Sequence, residues 1–517
     1  MTGIFSDSDG RSFGATNTPL NVRIFSGNPY LPAALQAQLT NTGTDSFTMS
    51  KNMAGDGPLA LHDQTQFQFY DAKLTGDIGD WTWNADYNFG RSRLLFDDSN
   101  HLYYPNLFAA VDAVDEGSFR TGIANGNIVC RVTLTNPNLY PGCAPFNFFG
   151  PDSASAAAKK FVFQTSSYRS VIQQHDVSAD VRGTLFRLWG DPVAVAVGGE
   201  MRWQSLDLVS NSDPGTPIDP TGLRQTPTLK YYLGNVANSS GKYDVKEVFG
   251  EINVPLLRRL PLAESLDLNA AVRYTDYSTS GGVTTWKVGA VWQPVRDLAV
   301  RVTRSRDIRA PTLYDLFLGP QPSLSVALDP HTNQSVSVAT TTSGNPALKP
   351  ETGNTWSAGI VFQPRFLPGF GASIDFYRLK VSGAIGTLGI NDILQSCELT
   401  NGTGPTCALI ARPGPFSDRS PANTVTAITI APVNAAQFST KGVDFDLSYA
   451  TRLGAGRLTL QFNGNYTDSL VYQTISTAPA IDYAGWSDGN PLGSGNPLPK
   501  WRLAGSIGYE TGPFRMS

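Results

Sequence analysis

Residues 81–89 read Trp-Thr-Trp-Asn-Ala-Asp-Tyr-Asn-Phe, so that Trp81, Trp83, Ala85, Tyr87 and Phe89 alternate with Thr82, Asn84, Asp86 and Asn88. Successive side chains of an extended strand point to opposite faces, so a period of two gives one apolar and one polar face. The pattern recurs along the chain. Leu266, Leu268, Ala270, Val272 and Tyr274 alternate with Asp267, Asn269, Ala271, Arg273 and Thr275, and Leu458, Leu460, Phe462, Gly464 and Tyr466 alternate with Thr459, Gln461, Asn463 and Asn465. These runs last about nine to fifteen residues, against about five or six for a globular strand. A strand crossing a membrane needs about nine to eleven. Strand length therefore favours a membrane wall over a soluble sandwich, propeller or β-helix.

Working outward, the periodicity predicts about thirteen complete strands, at 64–77, 81–96, 173–187, 192–204, 243–257, 264–278, 284–294, 297–307, 352–363, 369–380, 437–450, 456–470 and 500–510. Another strand is cut short from residue 513 onward. Residues 1–63 read mostly as an extracellular loop. Tight connections, such as Gly79-Asp80 and Gly512-Pro513, alternate with long ones near 97–172, 205–242, 308–351, 381–436 and 471–499, with a short exception at 279–283. Short turns on one side and long loops on the other characterise an antiparallel transmembrane β-barrel. The fold class is all-β, with long extracellular loops and short periplasmic turns. The strand at 64–77 is untidy: Phe67 and Phe69 fall on one parity and Tyr70, Ala72 and Leu74 on the other. A bulge is expected there.

Charge supports the wall. Asp86, Asp180, Arg182, Glu200, Arg202, Glu251, Arg273, Lys287, Arg301, Asp375, Asp444 and Asp446 all take the polar parity of their strands, and Arg304 breaks it near an outer strand end. Trp81, Trp189, Trp292, Trp356 and Trp501 lie near strand ends, where interfacial girdles form. Only 16% of the 517 residues are charged, while Gly (50) and Pro (35) are abundant. No apolar run approaches the ~18 residues of a membrane helix. Net charge is −4, so there is no electrostatic footprint for nucleic acid.

The four His (His62, His101, His175, His331) lie in predicted loops or at strand ends, without a nucleophile motif, so an embedded hydrolase is a weak reading. No cofactor or metal framework is legible. The four Cys form two close pairs, Cys130/Cys143 and Cys397/Cys407, in Gly- and Pro-rich segments. They read as loop disulfides, with unpaired thiols as the alternative.

Two segments go beyond architecture: Arg309-Ala310-Pro311-Thr312-Leu313-Tyr314-Asp315-Leu316-Phe317, and Gly344-Asn345-Pro346-Ala347-Leu348-Lys349-Pro350-Glu351-Thr352. The prolines stop ladder pairing, and Lys349 and Glu351 could pair at the loop mouth. Together these segments resemble the barrel signature of TonB-dependent outer-membrane receptors. Similar matches lie at Gly199-Glu200-Met201-Arg202, at 271–277 and at 440–446, and the Cys130–Cys143 segment resembles a receptor loop with paired Cys. The resemblance implies a barrel of about 22 strands around a plug, of which this chain would be an incomplete part: no signal peptide, TonB box or plug is recognisable, and the last strand is truncated. It also implies TonB-coupled uptake of a scarce nutrient such as a siderophore, cobalamin or glycan. The implied partners are outer-membrane lipid, the TonB–ExbB–ExbD complex acting through plug and box, and a small-molecule ligand. A passive porin-like barrel is the alternative. Tyr103, Tyr104, Asn106, Phe146, Asn147, Phe148, Phe149 and Trp486 are ligand candidates that could equally be loop packing.

Overall fold

A computed structural model describes residues 1–214, 229–475, 479–486 and 498–517. Fifteen strands follow one another in chain order, each hydrogen-bonded to the next, in an antiparallel sheet that a further two-residue strand joins off this path. They are β1 (Thr2–Thr16), β2 (Pro58–Ile78), β3 (Trp81–Leu102), β4 (Phe163–Leu188), β5 (Asp191–Ser210), β6 (Ser239–Leu260), β7 (Ala263–Tyr277) and β8 (Gly281–Val295). Then come β9 (Leu298–Arg309), β10 (Glu351–Phe362), β11 (Phe370–Thr387), β12 (Pro432–Leu453), β13 (Gly456–Gln473), β14 (Trp501–Thr511) and β15 (Phe514–Met516).

All thirteen strands expected from periodicity are present. Several run further at the extracellular end: β4 begins at Phe163 rather than 173, and β3 continues to Leu102. Period two is imposed by lipid on one face, so it fades where a strand rises out of the apolar band.

Two expectations are corrected. Residues 2–16 are a strand, not loop, and pair with β2 from Thr2↔Asp71 to Phe13↔Ala60. Only Gly3 and Phe5 there continue the outward apolar face, and Asp7, Asp9 and Arg11 follow on it. A ladder joins backbone groups and needs no alternation. The bulge expected at 64–77 is also absent, since β2 keeps an unbroken register with β3 from Ala60↔Ser99 to Ile78↔Trp81. Phe67 and Phe69 instead share the inward face with Ser92 and Gly90.

One face of the sheet is an exposed apolar band that includes Val181, Val197, Val248, Val272, Val302, Ile360, Ile374 and Phe376. An apolar surface of that extent needs a partner phase. Short turns close the other ends of the strands. Gly79 adopts φ +59° at the β2–β3 turn, a conformation costly for other residues. Trp189 and Trp292 donate their indole N–H to the carbonyls of Leu256 near the end of β6 (2.8 Å) and of Leu262 in the turn that follows (2.9 Å) while leaving their rings exposed. The inward face is polar. Arg273 meets Glu247 at 2.5 Å, Arg202 meets Glu200 at 3.3 Å, and Arg301 grips Asp375 through two bonds of 2.8 and 2.6 Å.

Candidate functional site

The long connections fold into two packed assemblies at the extracellular end. The first joins the hairpin Val22–Phe25/Ser46–Met49 to the segment between β3 and β4. Its core holds Val22, Ile24, Met53, Leu102, Leu107, Phe146 and Phe148, all buried. Asn17 clips it from within, donating to the Asn100 carbonyl (2.9 Å) and accepting the Leu102 N–H (3.0 Å). His101 is fully buried, and its Nε2 accepts the Leu233 N–H at 2.9 Å. Cys130 and Cys143 are bonded beneath this assembly.

The second assembly surrounds the helix Ile390–Leu399, with Val338, Ile393, Leu394 and Ile428 in its core. Cys397 and Cys407 are bonded there. Its polar centre is Asp329, which has no exposed surface and takes Arg412 in two bonds, together with the N–H groups of Val425 (3.1 Å) and His331 (3.1 Å). Burial alone would raise the Asp329 carboxyl. The bonds from Arg412 and the two N–H groups outweigh it and hold the pKa at about 2. His331 is buried against Phe416, with its ring nitrogens facing Glu398 (2.9 Å) and the Asp418 carbonyl (3.1 Å).

The two sequence motifs meet between these assemblies. Pro311 ends the ladder, and Thr312 starts the short helix Leu313–Phe317 with a reciprocal cap: its hydroxyl accepts the Asp315 N–H (3.1 Å), and the Asp315 carboxylate accepts the Thr312 N–H (2.9 Å). The helix turns inward. Tyr314 bonds Ser170 of β4 at 2.9 Å, and the Phe317 ring lies directly on Gly241 of β6. Ser170 shares the parity of Asp176, and Gly241 that of Glu247, so both lie on the polar face. Leu313, Leu316 and Leu348 are buried.

The second motif then docks on the first. Asn345 donates its N–H to the Asp315 carbonyl (2.8 Å) and its side-chain amide to the Pro432 carbonyl (2.9 Å). Arg309 and Glu351 close the base at 2.5 Å, where Glu351 also accepts the Ile385 N–H at 2.6 Å. The expected Lys349–Glu351 pair is not formed. Lys349 is held instead by its backbone, which exchanges two bonds with the Asn434 side chain (2.8 and 2.7 Å). Ala310, Pro346 and Pro350 shape the backbone between these contacts.

The ligand candidates divide. Phe146 and Phe148 are buried core residues with no face to offer, because the loop they stand on must build its own hydrophobic centre. Phe149 and Tyr104 pack against the same core, and Asn106 is occupied with the Phe161 carbonyl (2.7 Å). Asn147 caps the Phe149 N–H at 3.0 Å. Tyr103 packs against Tyr231 with the rings tilted and centroids 5.1 Å apart, and burial there pushes the Tyr231 phenol up to about 12. Trp486 is exposed, its ring tilted against that of Tyr483 with centroids 5.0 Å apart. Of the eight, it most clearly presents a ring to solvent. The four histidines are dispersed among separate surroundings. Sequence reading missed the Asp329–Arg412 pair and Gly241 as the seat of Phe317. Those partners are 83 and 76 residues apart with nothing local to mark them.

The chain belongs to the family described as TonB dependent receptor-like, beta-barrel, whose family model matches residues 4–517. Members of that family are transporters rather than enzymes. Among solved structures, the chain is similar to a variant of the ferric enterobactin receptor PfeA of Pseudomonas aeruginosa, at 15% identity and TM-score 0.47 over 87% of this chain and 48% of that one. It is also similar to the siderophore receptor PirA of the same organism, at 12% identity and TM-score 0.37 over 88% of this chain and 68% of that one. The RagAB peptide importer matches at 10% identity and TM-score 0.43, over 84% of this chain and 39% of the other. The chain thus spans about half the length of the first of these structures. Comparison with curated proteins found no match.

Proposed function

We propose that this chain is the wall and extracellular mouth of an outer-membrane receptor that takes up a scarce nutrient by coupling to TonB. The observation that carries the reading is the family match across residues 4–517. The geometry of the mouth is compatible with it. The connection between β9 and β10 folds back over the inner face, seating Phe317 on Gly241 and Tyr314 on Ser170. In this reading the lipid band anchors the wall, the loop assemblies receive the ligand, and the TonB complex supplies the energy for uptake. Siderophores, cobalamin, glycans and other organic ligands are all compatible with loops rich in amides and aromatics, and Trp486 is the first residue to test for contact.

Uptake by cells expressing the intact gene discriminates the two readings. Candidate nutrients are supplied in labelled form, with and without a protonophore. Coupled transport stops when the proton gradient collapses, whereas a diffusion barrel continues unchanged, and that result would overturn the proposal.

A further inference from the structure

On the outward face of β9 to β12, cations stand above the apolar band. Cross-strand neighbours share a face, and the register places Arg304 beside Trp356, Trp356 beside Arg378, and Arg378 beside Lys441. One step higher, Arg306 lies beside Asn354 and Asn354 beside Lys380. One step lower runs Val302, Ala358, Phe376, Val443, and below that Val300, Ile360, Ile374, Phe445. Parity along the sequence marked Arg304 alone. The register adds four more.

Little in the protein offsets this charge. Lys441 meets Asp468 at 2.6 Å, Arg306 donates to the Asn354 side chain at 3.3 Å, and Arg304 lies over the Trp356 ring at 4.5 Å. Among the described residues neither Arg378 nor Lys380, both exposed, forms an ion pair. Arg378 and Lys441 are direct cross-strand neighbours of like charge, which is destabilising by itself. Elsewhere outward cations share their face with acids: Arg169 meets Asp207 at 3.6 Å, Lys246 stands opposite Asp276, and Arg91 and Arg93 of β3 lie on the same face as Asp7 and Asp9 of β1. The excess is therefore a local patch. Near an interface a lipid-facing cation costs only about 0–1 kcal/mol, and an anion supplied from the membrane would offset the repulsion.

We propose that this patch binds the phosphate groups of an outer-leaflet lipid, whose acyl chains lie on Val302, Ala358, Phe376 and Val443. The proposal rests on the outer-membrane reading above. Guanidinium groups accept phosphate through paired bonds, and residues two apart on a strand, about 7 Å, allow the two rows to hold separate phosphates of one head group.

The test uses the full chain in neutral detergent, read by native mass spectrometry. Diphosphoryl lipid A, its dephosphorylated form and inorganic pyrophosphate are titrated separately. The expected result is binding of the diphosphoryl lipid alone, weakened at least tenfold by Arg378→Gln with Lys380→Gln, retained within threefold by Arg378→Lys with Lys441→Arg, and weakened by raising salt on the unaltered chain. Equal binding of the dephosphorylated lipid, unchanged binding in the double Gln variant, or indifference to salt would each overturn the patch. Pyrophosphate binding as tightly as the lipid would overturn the lipid assignment. Membrane fractionation separates the two claims: a chain absent from the outer membrane overturns that reading, and one present there but blind to phosphate overturns only the patch.

Discussion

Arg309 and Glu351 sit 42 residues apart and close the base of the connection between β9 and β10. Glu351 is nearly buried and accepts from both the guanidinium and the Ile385 N–H. Glu351→Ala leaves both donors short of a partner, and the expected cost is about 1–3 kcal/mol. Limited proteolysis within 310–350 should accelerate, while unfolding of the barrel strands changes little; equal sensitivity throughout would count against a local clamp. Asp329 makes a second residue-scale prediction. Its pKa is depressed to about 2, so its stabilising contribution is fully present above the ordinary carboxylate range and is lost as pH falls through that value. Amide exchange in 388–431 should rise between about pH 4 and pH 2 in the unaltered protein. Arg412→Ala, which strands a buried charge, should cost about 3–5 kcal/mol and open the same segment at neutral pH. Both partners were visible as residue types in the chain, but no periodicity links positions so far apart.

At the scale of elements, the helix Leu313–Phe317 depends on a glycine in another strand. A Cβ at Gly241 would collide with the Phe317 ring. Gly241→Ala should therefore displace the helix from the inner wall, read as increased solvent quenching of a reporter at Tyr314, while heat-modifiable gel migration still shows a folded barrel. An unmoved reporter would mean that the helix is seated by its other contacts. The disulfide Cys397–Cys407 closes a loop with a sequence separation of 10, for which chain entropy assigns about 3 kcal/mol. Cys397→Ser with Cys407→Ser should loosen the second assembly, read by proteolysis of 388–431, and leave β11 and β12 protected. Element types were legible in the sequence wherever one face meets lipid. Strand β1 and the upper thirds of β3 and β4 were not, because above the apolar band neither face has to be apolar, so the strands pair through their backbones and through polar side chains such as His62 with Asp9 without a period of two.

Across the whole molecule, the wall separates an apolar outer face from a polar inner one, so substitutions should be judged by face rather than by residue type. Ile360→Arg, in the middle of the outward band, should cost about 2–4 kcal/mol. Ser357→Arg, on the inward face beside Thr303, should be tolerated. Urea unfolding of the refolded chain in bilayers compares them, and equal costs would contradict the assignment of faces. The alternation of side chains and the parity of connection length, apart from the short connection at 279–283, were determined by sequence alone, because a strand between lipid and a polar interior must repeat every two residues and turn back on the short side. Tertiary structure decided the rest: the seating of Phe317 on Gly241, the burial of Asp329 against Arg412, and the assembly of Arg304, Arg306, Arg378, Lys380 and Lys441 into one patch. Those depend on cross-strand register and loop packing, which bring together residues that share no local pattern.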